Sequence, residues 1–314
     1  MNTDNANERR SRIPDSAQWR HAVNMLQTNG QVPFQNILFA TDFSSTTQLA
    51  LPYAVKMAQR SGGKIYVVHV ISRDIYPLVP PEEWANMEQS EAEFRKSNQR
   101  ALDAELSNIP HEFLFPSGDV WKQLSRIIDE KQIDLVVLGT HGRTGISKTV
   151  FGSVAERIFR QAACPVLTVG PRVSFRADHP ATREVNRILY ATDFSPDSLG
   201  AARYAIYLAK EFHAGLALLH SIQKAEAGQV NSAFETLRDI VPLGAGLAEK
   251  PKCTVERGAP AESILGVSLR ENADLIVLGI GHAKLSAAVG THFARSIAYK
   301  VVTQAECPVL TVRG

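Results

Sequence analysis

The chain of 314 residues is poor in the features that mark several common protein classes. Its three cysteines, Cys164, Cys253 and Cys307, form an odd and widely spaced set that is typical of neither a disulfide framework nor a metal site. No apolar run approaches the roughly 18 residues that a membrane helix needs. The formal net charge of +2 is too small to favour a nucleic-acid partner. Together these absences predict a reduced, cytoplasmic protein that binds neither membranes nor nucleic acids.

The remaining composition is that of a folded globular protein, with 44% hydrophobic and 21% charged residues. A chain of this length favours two domains. Residues 1–33 are polar and lack the apolar stretch of a signal peptide, so we expect a disordered polar tail there.

Three sequence blocks occur twice, in the same order along the chain. The pairs are Ile37–Ser44 with Ile188–Ser195, Asp134–Gly139 with Asp274–Gly279, and Cys164–Val169 with Cys307–Val312. The spacing between blocks differs between the copies, which indicates duplicated domains with changed loops rather than a short repeat. The predicted organisation is a tail at 1–33, a first domain at 34–170, a linker at 171–184 and a second domain at 185–314.

Apolar runs alternate with helical patterns inside each copy. In the first copy the predicted strands are 36–41, 64–71, 111–115, 134–138 and 165–169, and the predicted helices are 46–61, 82–107, 119–130 and 153–161. Strands separated by helices predict βαβ units, so each copy is expected to be a doubly wound five-stranded parallel sheet covered by helices. The second copy is shorter between its first and fourth strands, and its counterpart of helix 82–107 is expected to be reduced.

Two turns of the first copy have the residues of a ligand site. Ligands of open parallel sheets bind beyond the carboxyl ends of the strands, where the strand order reverses. The first strand ends at Asp42, whose carboxylate can accept hydrogen bonds from an adenine amino group or ribose hydroxyls. The fourth strand ends at Gly139 and continues through Gly142, and glycines let backbone N–H groups approach an anion closely. The next helix begins at Gly152-Ser153, and a helix amino end favours phosphate.

Each of these features also has a purely structural interpretation. Asp42 and Ser44 can cap the helix that follows them, and glycines after a strand are common turn residues. His69 and His220, at the ends of equivalent strands, are expected to pack or hydrogen bond with a neighbouring strand.

The combined pattern resembles the universal stress protein family. The spacing Gly139-x2-Gly142-x9-Gly152-Ser153 is similar to the ATP-binding signature of that family. The Ala-Thr-Asp-Phe-Ser start, the His-Val that closes the second strand and the Cys-Pro-Val-Leu-Thr-Val end resemble it as well. The resemblance covers both copies and implies an adenine alpha hydrolase-like, nucleotide-binding fold.

The same resemblance implies the ligand and the residues that hold it. The implied ligand is ATP, and the resemblance leaves open whether Mg²⁺ accompanies it. Adenine or ribose would contact Asp42 and Val70, and the phosphates would lie among the glycines; the full set is Ala40, Thr41, Asp42, Val70, Gly139, Gly142, Arg143, Gly152, Ser153 and Val154. The resemblance also implies that the fifth strands of two such domains pair, which in this chain can happen internally; a homodimer and an unidentified regulatory partner stay open.

The second copy departs from the phosphate motif. Asp193 is kept, but His282 stands in place of Gly142 and Arg295 in place of Gly152. We therefore expect a degenerate second copy that acts as a structural partner.

Three functions fit these residues. The leading hypothesis is an ATP-binding regulatory or stress-response protein with little or slow hydrolysis, because no evident catalytic base accompanies the phosphate motif. The second is an enzyme, either a slow ATPase or a nucleotidyl-transfer relative on the same fold. The third is a scaffold whose two copies pair and bind no nucleotide.

Overall fold

The computed structural model describes residues 34–71, 80–140, 152–173, 184–223, 228–242, 244–281 and 296–313. Contacts divide the chain into two compact units, Pro33–Cys164 and Pro165–Gly314. The predicted tail at 1–33 and residues 174–183 of the predicted linker lie outside the described residues.

The unit Pro33–Cys164 is a parallel sheet with helical crossovers. Its elements are β1 (Asn36–Ala40), α1 (Ser45–Gln48), α2 (Leu51–Ser61), β2 (Lys64–Val68), a 3-10 turn (Pro81–Glu83), α3 (Trp84–Glu105), β3 (His111–Leu114), α4 (Val120–Glu130), β4 (Leu135–Gly139) and α5 (Ser153–Gln161). The strand order is β3-β2-β1-β4, and each neighbouring pair is parallel. All five residues of β4 are buried, as expected for a strand covered on both faces.

The helix predicted at 46–61 is interrupted in the structure. It forms α1 and α2, with Leu49 and Ala50 between them. Pro52 lies in the first turn of α2, where its missing N–H costs no helical hydrogen bond. A continuous helix would place that proline in its interior, so the break follows from the proline. The helix then ends at Gly62, whose φ of 67° is the left-handed conformation that glycine adopts without strain.

The unit Pro165–Gly314 contains the second copy together with the last strand of the first. Its elements are β5 (Val166–Val169), β6 (Arg187–Thr192), α6 (Pro196–Phe212), β7 (Gly215–Ile222), α7 (Gln229–Ile240), β8 (Lys252–Arg257), α8 (Pro260–Arg270), β9 (Leu275–Ile280), α9 (Ile297–Gln304) and β10 (Val309–Arg313). The strand order is β5-β10-β9-β6-β7-β8, and β6 to β10 are all parallel to one another.

Strand β5 pairs with β10 in the antiparallel sense. The register joins Thr168 to Val309, Leu167 to Leu310 and Val166 to Thr311. This is the internal pairing of fifth strands that the family resemblance implies. It also explains why the division between the units falls before β5 rather than after it.

The prediction of two tandem α/β domains built on parallel strands is confirmed. The expected reduction in the second copy is present too, since α7 has 12 residues where α3 has 22. None of the described helices combines the length and the apolar character that a membrane crossing requires.

Candidate functional site

Three strands of the first unit end at one edge of the sheet. Ala40 of β1 lies opposite Val68 of β2 on one side and opposite Leu138 of β4 on the other. All three strands run in the same direction, so the residues that follow them share this edge. The chain continues outward from β1 to β2 and β3, while β4 lies on the other side of β1. The gap between β1 and β4 is therefore the point at which the strand order reverses, as the sequence predicted.

The turn after β1 is held in one conformation by its own side chains. The buried Thr41 hydroxyl accepts a hydrogen bond from the Phe43 N–H at 2.9 Å. Phe43 has a φ of 60°, which is rare for a bulky residue and is maintained here by the surrounding bonds. The Asp42 Oδ1 accepts from the Ser44 N–H at 3.0 Å and from the Thr47 hydroxyl at 3.0 Å.

The structural role that the sequence left open for this turn is present. Ser44 is the N-cap of α1, and its hydroxyl accepts from the Thr47 N–H at 3.3 Å. Asp42 fixes the same cap, and its side chain is half-buried at the edge of the sheet. Thr47 was missed by the sequence reasoning, although its place three residues after Ser44 is the position that a capping serine bonds.

The amino end of α5 lies beyond β4 and is tied back to that strand. The N-cap is Gly152, whose N–H donates to the Thr140 carbonyl at 2.9 Å. A side chain at this position would bring its Cβ to 3.2 Å from the same carbonyl, so the close approach favours glycine. Among the described residues no side chain caps this helix end. The first N–H groups of a helix have no partner within the helix, and a ligand oxygen can accept from them.

The remaining predicted site residues that the structure describes surround this edge. Ala40 and Val70 are half-buried, Gly139 is the buried last residue of β4, Ser153 is the exposed first residue of α5, and Val154 follows it half-buried. Gly142 and Arg143 lie outside the described residues.

The second copy builds the same turn after β6. The Thr192 hydroxyl accepts from the Phe194 N–H at 2.9 Å, and the Asp193 Oδ1 accepts from the Ser195 N–H at 3.0 Å. Phe194 has a φ of 62°. Partial burial raises the pKa of Asp193, but hydrogen bonds from Ser195 and its neighbours outweigh this, and the pKa of Asp193 lies below its ordinary value.

The end of β9 packs closely against the start of α6 beside this second turn. Gly279, the counterpart of Gly139, packs so closely on the first turn of α6 that an added Cβ would overlap the Ser198 backbone. A Cβ at Gly281 would lie 2.7 Å from the Asp197 Oδ2. The Arg313 guanidinium donates to the Gly281 carbonyl at 3.3 Å, and burial lowers the pKa of Arg313 although the charge of Asp197 opposes this. An acidic and a basic side chain of the protein therefore lie at this edge.

The helix after β9 also begins differently from α5. The N-cap of α9 is Ser296, whose hydroxyl accepts from the Tyr299 N–H at 3.1 Å. The second copy thus satisfies one of its helix-start N–H groups with its own side chain. The predicted replacements His282 and Arg295 lie outside the described residues.

Comparison with known proteins identifies relatives of this chain. The family model described as the universal stress protein family matches residues 33–170 and again 184–313. Universal stress protein MJ0531 of Methanocaldococcus jannaschii is 28% identical over 154 residues, which cover 48% of this chain and 89% of that protein. Universal stress protein A homolog 1 of Coxiella burnetii is 32% identical over 149 residues, covering 43% of this chain and 96% of that protein.

Solved structures show the same architecture over most of the chain. The crystal structure of a universal stress protein from Archaeoglobus fulgidus has a TM-score of 0.67 at 21% identity and covers 88% of this chain and 98% of its own. A putative universal stress protein from Pseudomonas aeruginosa has a TM-score of 0.62 at 17% identity, covering 92% of this chain and 95% of its own. At these identities the likeness concerns the fold. Because the family model matches both copies, the chain belongs to the universal stress protein family.

Proposed function

We propose that the first copy binds ATP and that the chain acts as a nucleotide-dependent regulatory protein of the stress response. The observation that carries this proposal is the shared edge of the sheet, where the turn bearing Asp42 and the amino end of α5 flank the gap between β1 and β4. A carboxylate that can accept from adenine or ribose and a set of helix-start N–H groups that favour phosphate are the two recognition elements that a nucleotide requires.

Each predicted residue has a chemical task in this proposal. Asp42, beside Ala40 and Thr41, accepts hydrogen bonds from the nucleoside, and Val70 packs against it. The amides of Gly139, Gly142, Gly152 and Ser153 bind the phosphates, with Arg143 and Val154 beside them. The absence of a side-chain cap at Gly152 among the described residues supports this assignment, because a phosphate oxygen can take the place of the capping side chain. Mg²⁺ accompanies ATP only if the phosphate oxygens provide most of its ligands.

We propose that ATP is bound with little or slow hydrolysis, and the hydrogen bonds of the turn after β1 support this. Hydrolysis requires a group that orients the attacking water and a charged clamp on the transferred phosphoryl group. The Asp42 Oδ1 already accepts hydrogen bonds from Ser44 and Thr47, so this oxygen stabilises the turn instead of orienting an attacking water. The three cysteines are all free thiols, which agrees with the proposed reduced, cytoplasmic setting.

The second copy is proposed to be a structural partner that binds no nucleotide. Ser296 caps α9, and the oppositely charged side chains of Asp197 and Arg313 lie beside Gly281, where a ligand would have to displace them. Because the two copies differ in this way, we favour a regulatory protein that binds one nucleotide per chain over a protein with two equal nucleotide sites.

A matched pair of substitutions tests the binding site. Ser153→Asp puts a carboxylate at the exposed first residue of α5, where it competes with the phosphates; we expect the affinity for ATP to fall about 10-fold or more. The same change favours the helix dipole, so the free energy of unfolding should not fall. Ser296→Asp exchanges one good N-cap for another and should change neither quantity. Isothermal titration calorimetry and urea unfolding of the full chain provide both readouts, and an unchanged affinity for Ser153→Asp would contradict the proposal.

Two further measurements separate binding from catalysis. Mass spectrometry of small molecules released from the denatured, purified protein should detect about one adenine nucleotide per chain. A phosphate-release assay should show little turnover. Sustained release that Ser153→Asp abolishes would favour the slow ATPase, whereas the absence of any bound nucleotide or thermal shift with ATP would favour the scaffold.

A further inference from the structure

His69 links the turn after β1 to the strand beside it. Its ring is buried, and its Nδ1 lies 3.0 Å from the Thr41 carbonyl oxygen. The ring also packs against the Phe43 ring, with 4.7 Å between their centroids. His69 thus contacts the residues on both sides of Asp42.

The other nitrogen of this ring faces helix α3. The His69 Nε2 lies 3.4 Å from the Glu91 Oε1. That oxygen is buried, and among the described residues it accepts no hydrogen bond of ordinary geometry. Phe94, one turn further along α3, places its ring 5.7 Å from that of Phe43. The same face of α3 therefore contacts both His69 and the turn.

The hydrogen-bond partners of the His69 ring determine which of its two nitrogens must carry a proton. A carbonyl oxygen only accepts, so Nδ1 must carry a proton to bond Thr41. A neutral ring then presents the lone pair of Nε2 to the carboxylate of Glu91, which is repulsive. A second proton on Nε2 converts the contact into a charge-assisted pair. The contact between α3 and the turn is therefore favourable when His69 is the imidazolium and unfavourable when His69 is neutral and Glu91 is ionised.

We propose that Glu91, acting through the protonated His69, is a positioning residue for the turn that presents Asp42. This deepens the proposed function, because it makes ATP affinity depend on a proton shared between α3 and the nucleotide-facing turn. Among the described residues, Arg95 also lies close to the pair, with its Nε 3.9 Å from the Glu91 Oε1.

Among the described residues, the second copy does not repeat this arrangement, although it keeps the histidine. The His220 Nδ1 lies 2.9 Å from the Thr192 carbonyl oxygen, and its ring stacks on Phe194. Among the described residues no carboxylate forms an ion pair with His220, and the helix that corresponds to α3 is the shorter α7. Burial lowers the pKa of His220 below its ordinary value. The proton-dependent contact thus belongs to the copy that carries the nucleotide motif.

Glu91→Gln tests the positioning role, with Glu88→Gln as a control on the exposed part of the same helix. The introduced amide can donate to neutral Nε2, so it removes the need for the second proton. We expect the affinity of Glu91→Gln for ATP, relative to the wild type, to be about threefold lower at pH 5.5 and equal or higher at pH 8. The terminal phosphate of ATP titrates identically in the experiments with both proteins, so its effect on the affinity cancels in the ratio of variant to wild type. Glu88→Gln should match the wild type at both pH values. A ratio for Glu91→Gln that does not change with pH would overturn the proposal.

A second readout does not depend on ATP binding. Hydrogen exchange of the peptide covering residues 37–44, measured without nucleotide, reports how firmly the turn is held. At pH 6 we expect faster exchange in Glu91→Gln than in the wild type, and at pH 8 the difference should vanish or reverse. If the wild type binds no ATP but this pattern is found, the proposed function fails and the role of Glu91 stands. Equal exchange at both pH values would refute the role of Glu91 even if ATP binds.

Discussion

The turn after β1 and the turn after β6 share their hydrogen bonds, and they differ in what surrounds them. In both turns a threonine hydroxyl accepts from a phenylalanine N–H, an aspartate accepts from a serine N–H, and a histidine lies within hydrogen-bonding distance of the threonine carbonyl. The first turn shares its edge with a helix start that lacks a side-chain cap among the described residues, whereas the second edge has Ser296 as a cap and Asp197 beside Gly281. The Ala-Thr-Asp-Phe-Ser block therefore builds the same turn in both copies, while the residues that lie across from it differ.

The most disruptive change expected from this comparison is Gly279→Ala. The added methyl group overlaps the Ser198 backbone, which cannot rotate away, so we expect the free energy of unfolding to fall by about 3 kcal/mol. Gly266→Ala, in the interior of α8 with open space around it, is the control and should stabilise by about 1 kcal/mol. Urea unfolding measures both. A small loss for Gly279→Ala would mean that the first turn of α6 does not pack against β9 as closely as described.

Removal of the two equivalent aspartates sharpens the comparison at the site. Asp42→Ala and Asp193→Ala each delete an acceptor for a serine N–H, and each should cost about 1 kcal/mol of stability. The affinity for ATP should fall about 10- to 100-fold for Asp42→Ala and stay unchanged for Asp193→Ala. Calorimetry on both variants checks this. Equal losses of affinity would indicate that both copies bind nucleotide.

The paired fifth strands carry a smaller asymmetry. The Thr311 hydroxyl donates to the Val166 carbonyl at 3.3 Å, whereas the equivalent Thr168 hydroxyl is buried and has no hydrogen-bond partner among the described residues. Thr168→Val should stabilise the protein by about 1 kcal/mol, and Thr311→Val should destabilise it by a similar amount. Thermal or urea unfolding distinguishes the two signs, and a loss for Thr168→Val would show that its hydroxyl has a partner.

The smallest expected effect is a pH dependence in the first copy. His111 lies with Nδ1 2.8 Å from the Ile109 carbonyl and Nε2 2.8 Å from the Asp103 carboxylate. Burial lowers the pKa of His111, but these two bonds outweigh it, so the pKa is raised. A raised folded-state pKa stabilises the protein below the unfolded pKa of about 6.5, and this stabilisation is lost as the pH rises through the folded value.

The substitution Asp103→Asn isolates this contribution. At pH 5.5 we expect the free energy of unfolding of the wild type to exceed that of Asp103→Asn by about 0.5 kcal/mol. The difference is small because Asp103 is largely exposed, and it should disappear at pH 8.5. The second copy begins its third strand with Lys252 and offers no such histidine. An excess that grows with pH would contradict the sign.

Most of the fold followed from the sequence because the apolar runs and their flanking residues are local signals. The repeated blocks gave the duplication, and the βαβ alternation gave the parallel sheets. The boundaries of α5 agree with the predicted helix at 153–161. The break between α1 and α2 was not predicted, although Pro52 was a signal for it.

The site was predictable only in part, for a physical reason. The positions of Asp42 and Gly152 follow from strand ends, which a sequence shows. The pairing of His69 with Glu91 depends on where α3 crosses the sheet, and no local pattern specifies that contact. The packing of Asp197 beside Gly281 is of the same kind, since it joins the start of one helix to the end of a distant strand.

The antiparallel pairing of β5 with β10 has a consequence for each repeat produced alone. A separated repeat would present its fifth strand as an open edge, and open edges seek a partner. Such a fragment would associate with a second molecule of itself, and the association would weaken on dilution. In the intact chain the two strands meet within one polypeptide, so dilution has no effect on their encounter. One repeat can then lose its ligand chemistry through mutation while it still covers the edge of the other.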